Sequence, residues 1–83
     1  MKPEKDASLN HPALAVYNRT EDLLLLRLEG QGRWELVVPP GEVSRTLLAA
    51  GGYRYELRRG GRVVAKGVLT LKRGHRYHLE PDL

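Results

Sequence analysis

Turn-forming residues punctuate this chain at short, regular intervals, and that spacing limits its folding options more than any other feature. Breaks fall at Asn18 to Asp22, Glu29 to Gly32, Pro39 to Glu42, Ala50 to Gly52, Gly60-Gly61 and Arg73-Gly74. Breakers about every 8 to 12 residues mark an all-β sandwich or barrel, because the pieces between them suit strands and are too short for a typical helix. Side-chain alternation agrees. Tyr53, Tyr55 and Leu57 alternate with Arg54, Glu56 and Arg58; Trp34, Leu36 and Val38 alternate with Arg33, Glu35 and Val37; Tyr77 and Leu79 alternate with Arg76, His78 and Glu80. In a strand, successive side chains point to opposite faces, so the first set of each series faces a core. Leu14, Val16, Leu24, Leu26, Leu28, Leu48, Leu69 and Leu71 complete that predicted core.

Local turn chemistry adds detail. Gly60-Gly61 between two alternating segments predicts a two-residue hairpin, whose positive φ angles glycine adopts at no steric cost. Gly67 interrupts an otherwise continuous strand, Arg62 to Lys72, and predicts a bulge or bend there. Neither proline of Pro39-Pro40-Gly41 can donate to a ladder, so a turn follows. Residues 1–12 are polar, contain Pro3 and Pro12 and show no period, which predicts a flexible tail ahead of a single domain over residues 13–83. The expectation is an antiparallel β-sandwich of about seven short strands.

Three stretches give this pattern a likeness. Val16, Asn18 and Thr20 precede Leu24, Leu26, Leu28 and Gly30; Val38-Pro39-Pro40-Gly41 follows; then come Gly52-Tyr53-Arg54-Tyr55, Gly67, Leu69, Leu71, Gly74 and Tyr77. Over most of residues 14–80 the chain resembles small bacterial β-sandwich modules of the prealbumin-like or PEGA-like kind, with an immunoglobulin-like outline. The resemblance implies a non-catalytic accessory or interaction domain and supplies no catalytic residues.

The residues themselves point away from catalysis and cofactors. Without cysteine there is neither a disulfide framework nor a Cys-based zinc site. Ser44 is expected to serve as a turn or strand hydroxyl, since no Gly-x-Ser-x-Gly elbow exposes a nucleophile. His75 and His78, three apart on a strand, face opposite sides and do not converge on a metal. Gly30-Gln31-Gly32 and Gly51-Gly52 lack the Lys-Ser or Lys-Thr that completes a phosphate loop. No apolar run approaches the roughly 20 residues of a membrane helix. No signal-peptide core is visible, so a cytoplasmic protein is expected.

Two surfaces remain as candidates. Leu23 to Leu26 are four consecutive leucines, so Leu23 and Leu25 must face away from the core that takes Leu24 and Leu26. Val37 and Leu47 are likewise apolar on the outward side of their segments. Leu23, Leu25, Val37 and Leu47 therefore form the predicted contact patch, with a protein partner and, most simply, a homodimer. The second candidate is electrostatic. Residues 53–83 carry eight basic against three acidic side chains, net +5, whereas residues 1–52 are net −1. Arg54, Arg58, Arg59, Arg62, Lys66 and Arg76 form a predicted anion-binding set that could attract phosphate, carboxylate or nucleic acid. Arginine on an edge hairpin also serves solubility, and Tyr53 and Tyr55 are assigned to the core instead of stacking bases, so nucleic acid ranks below protein. A carbohydrate-binding role would require Trp34 to be exposed.

Overall fold

The alternating segments pair as their patterning requires. The computed structural model describes residues 2–6, 8 and 10–81, which form eight strands: β1 (Lys2–Lys5), β2 (Ala13–Tyr17), β3 (Leu24–Glu29), β4 (Arg33–Val38), β5 (Val43–Leu47), β6 (Gly51–Arg59), β7 (Arg62–Leu71) and β8 (His75–Leu79). Two four-stranded sheets result, ordered β1-β8-β2-β5 and β4-β3-β6-β7. The fold is an all-β sandwich. Leu24, Leu26 and Leu28 of β3 lie opposite Val38, Leu36 and Trp34 of β4 on one side and Arg59, Leu57 and Tyr55 of β6 on the other. Directly paired residues share a face, so one register turns the leucine stripe inward along three strands.

Every residue named above as core belongs to one cluster. Leu14, Val16, Leu24, Leu26, Leu28, Val38, Leu48, Tyr53, Leu57, Leu71 and Tyr77 are buried, and Trp34, Leu36, Tyr55, Leu69 and Leu79 pack against them half-buried. The buried tyrosines keep their polar ends satisfied, as apolar burial of a hydroxyl requires. The Tyr53 hydroxyl donates to the Ala49 carbonyl at 2.5 Å, and the Tyr77 hydroxyl accepts from the Lys72 amide at 2.8 Å. Burial also pushes the Tyr53 phenol above its ordinary pKa.

The turns are as patterned, with one exception. Gly60 and Gly61 take φ of 56° and 85° between the closing pair Arg59 and Arg62. At Pro39-Pro40-Gly41 the Glu42 amide returns to the Pro39 carbonyl at 3.1 Å, and this turn carries the chain from one sheet to the other. Gly67, in contrast, is not a bulge. It pairs in register with Tyr55, and the irregularity lies nearer the hairpin, between Leu57 and Arg58 opposite Val63 to Ala65. Gly67 serves a ring instead: a Cβ there would sit 3.1 Å from Cε1 of Tyr55.

Two further features depart from the sequence expectation. Part of the segment assigned to a tail is a strand, which brings the number among the described residues to eight. Lys2–Lys5 pairs antiparallel with His78 to His75 at the edge of its sheet, a position that tolerates Pro3. Four residues of mixed charge show no alternation to read; their partners come from the far end of the chain. Nor is the sandwich wholly antiparallel, since β2 and β8 run parallel, Ala13 opposite Arg76 through Val16 opposite Leu79.

Outside its ladder, β1 and the residues just after it are held by polar side-chain contacts. Arg76 Nε donates to Asp6 at 2.9 Å, His78 Nε2 lies 3.2 Å from Glu4, and the Ser8 hydroxyl and amide both donate to Asp6. The Ser8 hydrogen bonds and then Arg76 hold the Asp6 carboxyl below its ordinary pKa. A carboxyl with a depressed folded pKa contributes above its unfolded value and loses that contribution as pH falls through the folded one. Loosening of β1 is therefore expected below about pH 4. Amide chemical shifts of Lys2–Lys5 should report it, and Asp6→Asn should produce the same change at neutral pH while the core signals stay put. Core signals moving together with β1 would show that the strand does not loosen separately.

One polar side chain is as buried as the leucines. Asn18 is 2% exposed. Its amide donates to the carbonyls of Asp22 at 2.7 Å and Val38 at 2.8 Å; its Oδ1 accepts from the Thr20 amide at 2.9 Å and the Thr20 hydroxyl at 2.7 Å. Its own backbone amide donates to Glu42 at 2.9 Å. Both side-chain donors and both acceptor positions are used. The residue joins the β2–β3 connection to the end of β4 and the turn after it, two places where the chain passes between sheets.

Candidate protein-interaction surface

The outer face of the β4-β3-β6-β7 sheet changes character along its length. Register places Val37, Leu25, Arg58 and Val63 in one row across the four strands. The next row is Glu35, Arg27, Glu56 and Lys66, and the one beyond is Arg33, Glu29, Arg54 and Val68. The first row is apolar apart from Arg58. Leu23, just before β3 on the same alternation as Leu25, extends it. Leu23, Val37 and Val63 are 50%, 51% and 46% exposed, and Leu25 is half-buried among them.

Three of the four predicted contact residues thus lie together, and the fourth does not. Leu47, 58% exposed, sits opposite Ala13 on the outer face of the other sheet and cannot join a patch with Leu25. The Pro39-Pro40-Gly41 turn takes β5 across the sandwich, so an outward side chain on β5 points the opposite way from one on β4. Val63 takes the fourth place. Alternation alone missed it because its outward direction depends on the pairing with Arg58 beside the irregularity in β7.

The second and third rows alternate in sign. Arg27 pairs with Glu35 at 3.2 Å, Arg33 with Glu29 at 3.5 Å, and Arg58 with Glu56 at 2.5 Å, a contact that holds the Glu56 carboxyl below its ordinary pKa. A shallow depression of about 450 Å³ lies over these rows, bordered by Arg27, Glu29, Arg54, Glu56, Lys66 and Val68. Its lining mixes both signs, so it does not concentrate positive potential as a phosphate site does.

The predicted basic set is divided. Arg54, Arg58 and Lys66 share this outer face. Arg59 lies on the opposite side of β6, bound to Asp22 at 2.8 Å, with Arg62 opposite it across the hairpin. Arg76 lies in the other sheet, bound to Asp6 at 2.9 Å. Crowding near the hairpin in sequence does not survive folding, because alternation sends Arg58 and Arg59 to opposite sides and three of the six cations take carboxylate partners. Trp34 is half-buried, with Tyr53 edge-on at 5.6 Å and Gly32 against its ring, so it does not present the open face that sugar stacking needs.

The remaining polar candidates serve the fold. The Ser44 hydroxyl donates to the Val37 carbonyl at 2.7 Å, where β4 approaches β5. His78 stacks with Tyr17 at 6.1 Å, whereas His75 stacks with Tyr77 and contacts the Arg73 carbonyl at 3.0 Å, so the two rings have separate surroundings. Among the described residues, no group of three or more His, Cys, Asp or Glu side chains could hold a metal ion, and no helix is long and apolar enough to cross a membrane. No family model matches the chain, and no curated protein or solved structure matches it either.

Proposed function

We propose that this chain is a non-enzymatic interaction module that engages protein through the apolar end of its outer sheet face, with a second copy as the simplest occupant. The observation that carries this reading is the convergence of Leu23, Leu25, Val37 and Val63 in one exposed strip beside a salt-bridged polar field. Apolar side chains grouped on a surface and bordered by charge are the usual anatomy of a protein contact. The resemblance to prealbumin-like and PEGA-like modules implies a role of the same kind.

Sedimentation from low micromolar to near-millimolar concentration tests it. The weight-average mass should rise with concentration, and Leu25→Glu with Val37→Glu should weaken association at least about tenfold, since burying an unpaired carboxylate is costly. The far-ultraviolet circular dichroism should not change, because both side chains lie outside the core. A chain that is monomeric at the highest concentration, with the double variant no more soluble than the parent, overturns the proposal.

A further inference from the structure

The four sheet edges are not protected equally. β1 is four residues long and contains Pro3. β4 is shielded at its end by the Ser44 hydroxyl and the Asn18 amide, which take the carbonyls of Val37 and Val38. β5 has only five residues. β7 runs for ten residues without proline, pairs among the described residues only with β6 and is exposed over most of its length. Among the described residues, no side chain hydrogen-bonds to the backbone of β7. A long edge strand of this kind offers every second N–H and C=O to an incoming strand, which natural sheets usually prevent.

The side chains along this edge define what would fit. On its inner side, Ala65 and Leu69 are half-buried against the core, so their open flanks would accept apolar groups from an added strand. On its outer side stands Lys66 between the exposed Val63 and Val68, with Arg54 on the neighbouring strand, whereas Arg62 is opposite Arg59 at the hairpin end and faces the other way. Among the described residues neither Lys66 nor Arg54 has a carboxylate within salt-bridge distance, unlike Arg58 and Arg59 beside them. A second copy is a poor occupant: two β7 strands paired about a two-fold near their middle would bring both Lys66 side chains onto one strip of one face, which like charges oppose.

We infer that β7 is a strand-addition site for an extended acidic segment of another protein, with apolar side chains toward Ala65 and Leu69 and carboxylates toward Lys66. Backbone pairing supplies affinity and the alternate side chains supply selectivity, as in other edge-strand recognition. This inference rests on the reading of the chain as a binding module but uses the edge of β7, which meets the apolar strip only at Val63.

The test is a titration of isotope-labelled protein with a capped decapeptide of alternating valine and glutamate. Amide shifts and slowed hydrogen exchange should concentrate in Arg62–Leu71 and weaken with added salt. The same peptide N-methylated at alternate residues should lose binding, because it keeps its charge but cannot complete a ladder. Arg54→Glu with Lys66→Glu, both exposed and outside the core, should weaken binding about tenfold and favour the valine–lysine peptide instead. Absence of shifts on β7, equal binding of the N-methylated peptide, or β7 pairing with a second copy would each overturn the inference. The Leu25→Glu, Val37→Glu variant should still bind the peptide, so failure at β7 and failure at the apolar strip are read separately.

Discussion

Asn18→Leu is expected to lower the stability of this domain by about 3 kcal/mol, although it exchanges a polar side chain for an apolar one in a buried place. The substitution leaves the carbonyls of Asp22 and Val38 and the amide of Thr20 without the partners they have at 2.7 to 2.9 Å. A buried group left unpaired, as the Val38 carbonyl would be, costs about 1 to 3 kcal/mol, the half-buried Thr20 amide and Asp22 carbonyl add less each, and leucine's transfer gain offsets only part of that sum. The melting temperature of a domain this size should fall by roughly 12 to 24 °C. Asn18→Asp should be at least as damaging at neutral pH, because a carboxylate oxygen would replace the amide nitrogen facing two carbonyls. Thermal and urea unfolding measure both effects. A loss under about 1 kcal/mol for Asn18→Leu would mean that water reaches these carbonyls and that Asn18 does not hold the crossing.

Leu26→Ala should have a comparable effect for the opposite reason. Leu26 is fully buried between Leu36 and Leu57 at the centre of its sheet. Removing a buried leucine side chain costs about 2 to 5 kcal/mol, combining lost transfer energy with the cavity left behind. Its neighbour provides the control. Leu25→Ala, on the outer face, should cost less than about 1 kcal/mol. Equal losses at the two positions in urea denaturation would contradict the inward and outward assignment on which the apolar strip depends.

Much of this architecture was legible because strands have period two. Tyr53 and Leu57, Leu24 and Leu26, and Trp34 and Val38 face the core that alternation assigned to them, and Gly60-Gly61 makes its hairpin because positive φ has a chemical signature. Such signals are local: each is written within a few consecutive residues. The strand in residues 2–5 was not, since its regularity lies in partners some seventy residues away, His75 to His78. Gly67 misled for a related reason. A glycine within a strand signals that something comes close, but only the pairing reveals that the close object is the Tyr55 ring.

The candidate surface divides along the same line. That Leu23 and Leu25 must turn outward follows from four consecutive leucines and the geometry of an extended chain. That Val37 and Val63 stand beside them, while Leu47 is carried to the opposite face, depends on which strands pair and where the chain changes sheets. The basic residues show this most plainly. Their number and their bias toward the C-terminal half are matters of composition. Whether a cation is free or neutralised was decided by folding, when Arg58, Arg59 and Arg76 met Glu56, Asp22 and Asp6. By itself, the order of residues determined which side chains point in and which point out, because neighbouring peptide units impose that. Which outward side chains share a surface was left to the tertiary structure, because adjacency across strands is set by register and sheet order.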